Sequence, residues 1–232
     1  MHVPDGFLDA PTSIATGVVA AGAVGVALRQ ANKELDERTA PMAGLVAAFI
    51  FATQMLNFPV GAGTSGHLIG GALAAVLVGP WTAMLCMSVV LLVQSLLFAD
   101  GGLTALGTNI ILMGVVPVAV GWLLFKLVIA MVGQRKGVVA GATVAALVSV
   151  PVAALSFVGL YVVGGTANIS LTALISAMVG WHVLIGVGEA IITGLAVSSV
   201  LAVRPDLVHA ARGFITPPDL QIRSSRSEGA LS

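Results

Sequence analysis

The first two residues of the chain offer three nitrogens in one short arc: the Met1 amine, the His2 amide and the His2 imidazole. A metal held by all three closes one five-membered and one six-membered chelate ring, both low in strain. The amide gives up its proton only to a strongly polarising late first-row ion, which favours Ni(II) and Cu(II) and allows Co(II). A fourth nitrogen could come from His67, which follows Gly61-Ala62-Gly63-Thr64-Ser65-Gly66. Glycines let the backbone come close and adopt unusual dihedrals, so such a loop can tuck inward and hold a histidine. Each histidine also has a plainer reading, His2 as part of a ragged terminus and His67 as a helix-start or interfacial residue. Two of them on one membrane face, one at the chelating second position, tip the balance toward a metal.

Other polar residues carry weaker signals. Asp5 and Asp100 could attract the ion, and Asn109 could orient a ligand from behind; each is equally readable as a helix or turn cap. His182 and Glu189 lie seven apart in the last apolar run, hence on one helix face. Ionisable residues within a span are costly and point to function, here a proton relay or an intramembrane polar site. The duller reading has them satisfied by neighbouring Ser, Thr and backbone. The sequence holds no Walker, His-Glu-x-x-His or Gly-x-Ser-x-Gly pattern, so an ATPase or an intramembrane hydrolase has no support.

What must position these residues is a membrane fold. Of the 232 residues, 58% are hydrophobic and 9% charged, and the mean hydropathy is +1.06. No soluble domain of this size could cover such a composition with polar surface. Long uninterrupted apolar segments predict an all-α integral membrane protein embedded in the lipid bilayer. Net charge is zero, so there is no case for nucleic acid as a partner. The single cysteine, Cys86, sits in an apolar run as a packing residue. The N-terminus lacks the basic region of a signal peptide, and Met1-His2 is expected to survive as the mature terminus.

Seven spans are predicted: Ser13 to Leu28, Met42 to Leu56, His67 to Val78, Trp81 to Phe98, Asn109 to about Val132 with a kink at Pro117, Val138 to Val163, and one within Leu171 to Val203. The last run is too long for a single crossing, so its start is expected to be re-entrant or interfacial. The membrane domain is 1–203, and 204–232 is a polar, Ser/Arg-rich cytoplasmic tail with the composition of disorder. With the N-terminus outside and the C-terminus cytoplasmic, all ten basic residues fall inside: Arg29, Lys33, Arg38, Lys126, Arg135, Lys136, Arg204, Arg212, Arg223 and Arg226. The outer face keeps Asp5, Asp9 and Asp100, an acidic mouth that concentrates cations.

These stretches resemble a known family. Met1-His2-Val3-Pro4-Asp5-Gly6-Phe7-Leu8, Asn57-Phe58-Pro59, Gly63 to Gly71, Gly79-Pro80-Trp81 and Asp100-Gly101-Gly102-Leu103-Thr104 with Asn109 are similar to CbiM/NikM. That family is the cobalt/nickel substrate-binding (S) component of energy-coupling factor ABC transporters. The resemblance runs from Met1 to about Val203. It implies an S-component fold with one helix added at the N-terminus, in a prokaryotic cell membrane. It implies that the Met1 amine, the His2 amide and imidazole, and the His67 imidazole bind the ion in a near-square plane. It further implies transported Co2+ or Ni2+ with no permanently bound cofactor, a transmembrane coupling (T) component, two cytoplasmic ATPase subunits and often a small accessory membrane protein. The chain itself is then a transporter subunit and not an enzyme. The rival reading is a stand-alone proton-coupled metal transporter built on His182 and Glu189.

Overall fold

The computed structural model describes residues 1–37, 39–61, 64–212 and 214. Arg38, Ala62, Gly63 and the tail from 215, including Arg223 and Arg226, lie outside the described residues. The chain is mostly helical. Helix α1 (Ala10–Ala31) starts where Asp9 Oδ1 accepts from Thr12 N at 2.9 Å, with Pro11 in its first turn. Helix α2 (Thr39–Gln54) leads to an antiparallel hairpin, β1 (Phe58–Gly61) and β2 (Thr64–Gly66), which sets Phe58 opposite Gly66. Helix α3 (Gly71–Val78) and α4 (Pro80–Leu97) follow, joined at Gly79.

Helix α5 (Leu106–Ile110), a π-helical turn (Ile111–Val115) and α6 (Val116–Val132) form one run. The irregularity expected at Pro117 is that π turn, directly before the proline. A proline cannot donate to the carbonyl one turn back, so the ladder slips there. Helix α7 (Gln134–Gly164) carries Pro151 inside it, and α8 (Leu171–Val203) completes the bundle.

Among the described residues, five helical stretches are long and apolar enough to cross a membrane: α1, α4, the run Leu106–Val132, Gly137–Gly164 and α8. Helix α2 is shorter, and α3 has eight residues, about 12 Å of helix. The predicted third span therefore differs from the observed one. His67 to Gly70 is not helical, and the helix begins only at Gly71. All eight residues of α3 are buried, against α2, α4, α6, α7 and α8. The expected break at the start of the last span is also absent. Nothing between Leu171 and Val203 interrupts the ladder, and Ser170 caps it by accepting from Ala173 N. At 33 residues it is about 50 Å long, so it tilts or projects past an apolar layer of about 30 Å.

Two short 3-10 turns, Pro205–Leu207 and His209–Ala211, fold back on the bundle, burying Val208, Ala210 and Ala211. Arg212 donates to the Glu34 carbonyl, and Glu34 in turn accepts from Trp81 N and Thr82 N at the start of α4. Lys126 lies over the Trp122 ring, which also faces His209. Lys33, Lys126, Arg204 and Arg212 thus share the end opposite the N-terminus.

Candidate metal site

The N-terminal nine residues form a strap across one end of the bundle, held through its backbone and through the side chains of Asp5 and Phe7. Asn109 binds both main-chain groups of Val3: Val3 N donates to Oδ1 at 2.7 Å and Nδ2 donates to Val3 O at 3.1 Å. Gly102 N donates to the same carbonyl at 2.9 Å. Further along, Leu8 bridges Gly165, Asp9 N donates to Gly164 O, and Thr166 N donates to Phe7 O. Phe7 packs its ring on Phe157 and Tyr161. Gly101 and Gly102 make room for the strap. Gly101 has φ +93°, and a Cβ there would meet Asn109 Nδ2 at 2.9 Å and His2 Cδ2 at 3.1 Å. At Gly102 it would strike the Asp5 amide nitrogen.

So held, the strap buries Met1 and His2. The His2 ring lies 4.6 Å from the His67 ring, centroid to centroid, tilted by 31°. His2 Nε2 is 3.1 Å from Gln94 Oε1, and Nδ1 is 3.2 Å from Asp100 Oδ1. His67 Nδ1 meets the Leu68 carbonyl at 2.8 Å. A carbonyl can only accept, so Nδ1 carries the proton and Nε2 is a bare lone pair. That Nε2 is fully buried and has no hydrogen-bond partner among the described residues. Burial pushes the Met1 amine down to about 4, Asp100 partly opposing it. Burial, then the neighbouring amine, pushes His2 to about 4 as well, against the pull of Asp100 and Gln94. Both are neutral nitrogen donors near pH 7. The amine, His2 and His182 all act electrostatically on His67.

His67 stands on a non-helical segment, and three side-chain hydrogen bonds hold that segment. Glu189 is buried and accepts from Ile69 N and from Gly70 N, both at 2.8 Å. Gln54 Nε2 donates to Ile69 O at 2.7 Å. Non-helical backbone at membrane depth is tolerated only where protein satisfies it, and here α2 and α8 do so. Gly70, at φ +83°, presses its α-carbon face on Ile50 and turns the chain into α3.

His182 and Glu189 are not paired with each other. His182 Nδ1 meets the Met178 carbonyl at 2.6 Å, and Glu189 is taken up by the His67 segment. His182 Nε2 is buried without a hydrogen-bond partner among the described residues, within the electrostatic reach of the Met1 amine. Asp5 and Asp9 are spent as caps, Asp5 Oδ1 accepting from Thr104 N at 2.7 Å. Among the described residues no three His, Cys, Asp or Glu side chains converge as a metal-holding group. What converges is two imidazoles beside the main-chain nitrogens of the first two residues. Sequence reasoning passed over Gln94 and Gln54, although an amide inside an apolar helix was a usable signal.

Residues 2–207 match the family described as cobalt uptake substrate-specific transmembrane region, CbiM. The chain belongs to the CbiM family. It is 32% identical over 218 residues to the cobalt transport protein CbiM of Sorangium cellulosum, covering 90% of this chain and 94% of that one. It is 33% identical over 244 residues to the fused nickel transport protein NikMN of Rhodobacter capsulatus, covering all of this chain and 70% of that protein. A crystal structure of a truncated transition metal transporter superposes with a TM-score of 0.80 at 32% identity, covering 87% of this chain and 99% of that chain. As a CbiM-family protein with five apolar membrane-length helices, the chain is a multi-pass prokaryotic membrane protein of cobalt and nickel transport.

Proposed function

We propose that this chain captures Co2+ or Ni2+ from outside the cell as the substrate-binding subunit of an ATP-driven energy-coupling factor importer. The ion is substrate, not a resident cofactor. Its donors are the Met1 amine, the deprotonated His2 amide nitrogen, His2 Nδ1 and His67 Nε2. The observation that carries this reading is the buried amine lying with His2 beside the bare Nε2 of His67. Four nitrogens in a near-plane suit a d8 Ni(II) ion and a Co(II) ion, and no redox-active or nucleophilic group is required. Asn109 positions the strap from behind, and Asp5 pins its outer turn.

Transport needs partners: a transmembrane coupling component, two cytoplasmic ATPase subunits and a small accessory membrane protein. The extra length of the fused NikMN relative supports an accessory partner of the NikN kind. The clustering of Lys33, Lys126, Arg204 and Arg212 at one end supports the N-out, C-in orientation, with 1–203 as the membrane unit.

Metal per purified subunit, measured by elemental analysis, tests the ligands. His2→Ala and His67→Ala should each bind at least about 100-fold more weakly than the native chain, more than loss of a supporting residue costs. Retention of stoichiometric metal by either variant would remove that residue from the site. For orientation, Thr166→Cys should react with an impermeant thiol reagent added to intact cells, and Lys33→Cys should not.

A further inference from the structure

The four-nitrogen reading leaves one strongly placed group without a task. Asp100 sits at the wall of an open cavity of about 430 Å³, lined in part by His2, Asn57, Phe58 and Ser65. Its side chain is 18% exposed, whereas that of His2 is 4% exposed, so the carboxylate meets water before the imidazole does. Asn57 Nδ2 donates to Asp100 Oδ2 at 2.9 Å. Oδ1 is thereby left facing His2 Nδ1 at 3.2 Å.

Nδ1 is the ring nitrogen that closes the six-membered chelate ring. It is buried and, among the described residues, makes no hydrogen bond of acceptable geometry, Asp100 included. The other ring nitrogen, Nε2, faces the amide oxygen of Gln94. An amide oxygen only accepts, so Nε2 holds the proton and Nδ1 presents a lone pair. A lone pair and a carboxylate oxygen then face each other. They repel unless a cation lies between them. With metal–nitrogen and metal–oxygen bonds of about 2.0–2.2 Å, an ion spanning 3.2 Å would hold the two donors near a right angle, an ordinary pair of adjacent ligands.

We propose that Asp100 Oδ1 and His2 Nδ1 form a loading site for the hydrated divalent ion, on the path from the open cavity to the four nitrogens. The ion exchanges a water for the carboxylate, is shared with Nδ1, and leaves Asp100 as the amine and amide nitrogens close around it. A hard, water-accessible oxygen suits capture of an aquo ion, and the softer nitrogens suit its retention. Asn57 keeps Oδ1 turned toward the ring. This rests on the four-nitrogen reading of the site.

The alternative is that Asp100 merely orients the imidazole, as carboxylates often do behind metal-binding histidines. The two roles separate kinetically. Stopped-flow binding of Ni(II) to the purified full chain should show Asp100→Asn associating about 10-fold more slowly, with equilibrium affinity changed by less. Asn57→Ala should slow association by a smaller factor. Melting temperatures confirm that both variants are folded. A second arm adds one alanine before Met1, which destroys the four-nitrogen plane. The extended chain should keep weak Ni(II) binding that Asp100→Asn then abolishes. Unchanged association in Asp100→Asn, or an affinity loss carried wholly by faster release, would overturn the loading role. So would residual binding in the extended chain that survives Asp100→Asn. If the extended chain binds as tightly as the native one, the four-nitrogen reading fails instead.

Discussion

Two carboxylates border the two histidine-bearing segments, and they are used in opposite ways. Asp100 lies at the mouth, partly exposed, with one oxygen on an amide and the other aimed at a ring nitrogen. Glu189 lies inside the bundle, with both oxygens committed to the amide protons of Ile69 and Gly70. An oxygen that faces a lone pair in reach of water can exchange ligands. A carboxylate whose two oxygens accept from two buried N–H groups cannot do so without unmaking the backbone it holds. The mouth is therefore built for chemistry and the interior for bracing, although the residue types are the same.

Removing the brace should do more damage than removing the mouth carboxylate. Glu189→Ala leaves two buried N–H groups unpaired, each costing about 1–3 kcal/mol. It should lower the melting temperature and, by releasing His67, weaken Ni(II) binding by about 10–100-fold. Asp100→Asn should leave the melting temperature close to native, since that carboxylate holds no backbone group. Equal melting temperatures for the two variants would erase the distinction between brace and mouth.

Asn109→Ala tests the strap. It removes both side-chain bonds to Val3 and should weaken metal binding by about 10-fold, the lower end expected for a supporting residue. Calorimetric titration with Ni(II) measures it; an affinity equal to native would show that the strap's other bonds, to Gly102, Thr104, Gly164 and Thr166, hold it without Asn109.

A further test concerns pH. The Met1 amine and His2 fall from their ordinary 8.0 and 6.5 to about 4 in the folded protein. Between those values the unfolded chain binds protons that the folded chain refuses. Stability must then rise with pH, complete above about 8 and lost progressively on acidification toward 4. Each group contributes up to about 1.4 kcal/mol per pH unit across its own window. The melting temperature of the metal-free protein should decline from pH 8 to 5; a flat profile would mean that the strap is not buried in solution.

How much of this was readable beforehand differs by the range of the interaction. His2 and His67 were legible because their signal is local: a second-position histidine, and a histidine behind glycines. The disturbance at Pro117 was legible for the same reason. The pairing of β1 with β2 was not; Phe58 packs there against Trp181 in α8, far along the chain. The length of α3 was hidden too, since His67 to Gly70 is kept out of the helix by Glu189, 119 residues beyond Gly70. Glu189 and His182 were visible as costly buried groups, and of the two readings offered for them the plainer one, partners in the backbone, matches the bonds to Ile69 N, Gly70 N and the Met178 carbonyl. Helix periodicity names a face; it does not say what lies across from it.

The central claim is that the chain terminus itself binds the ion, and one change addresses it without touching any side chain. A single alanine placed before Met1 moves the free amine out of the five-membered ring and leaves His2, His67 and Asp100 in the sequence. Ni(II) or Co(II) bound per purified subunit should fall by at least about 100-fold in affinity, with the melting temperature confirming a folded bundle. An extended chain that binds either ion as tightly as the native one would contradict the account.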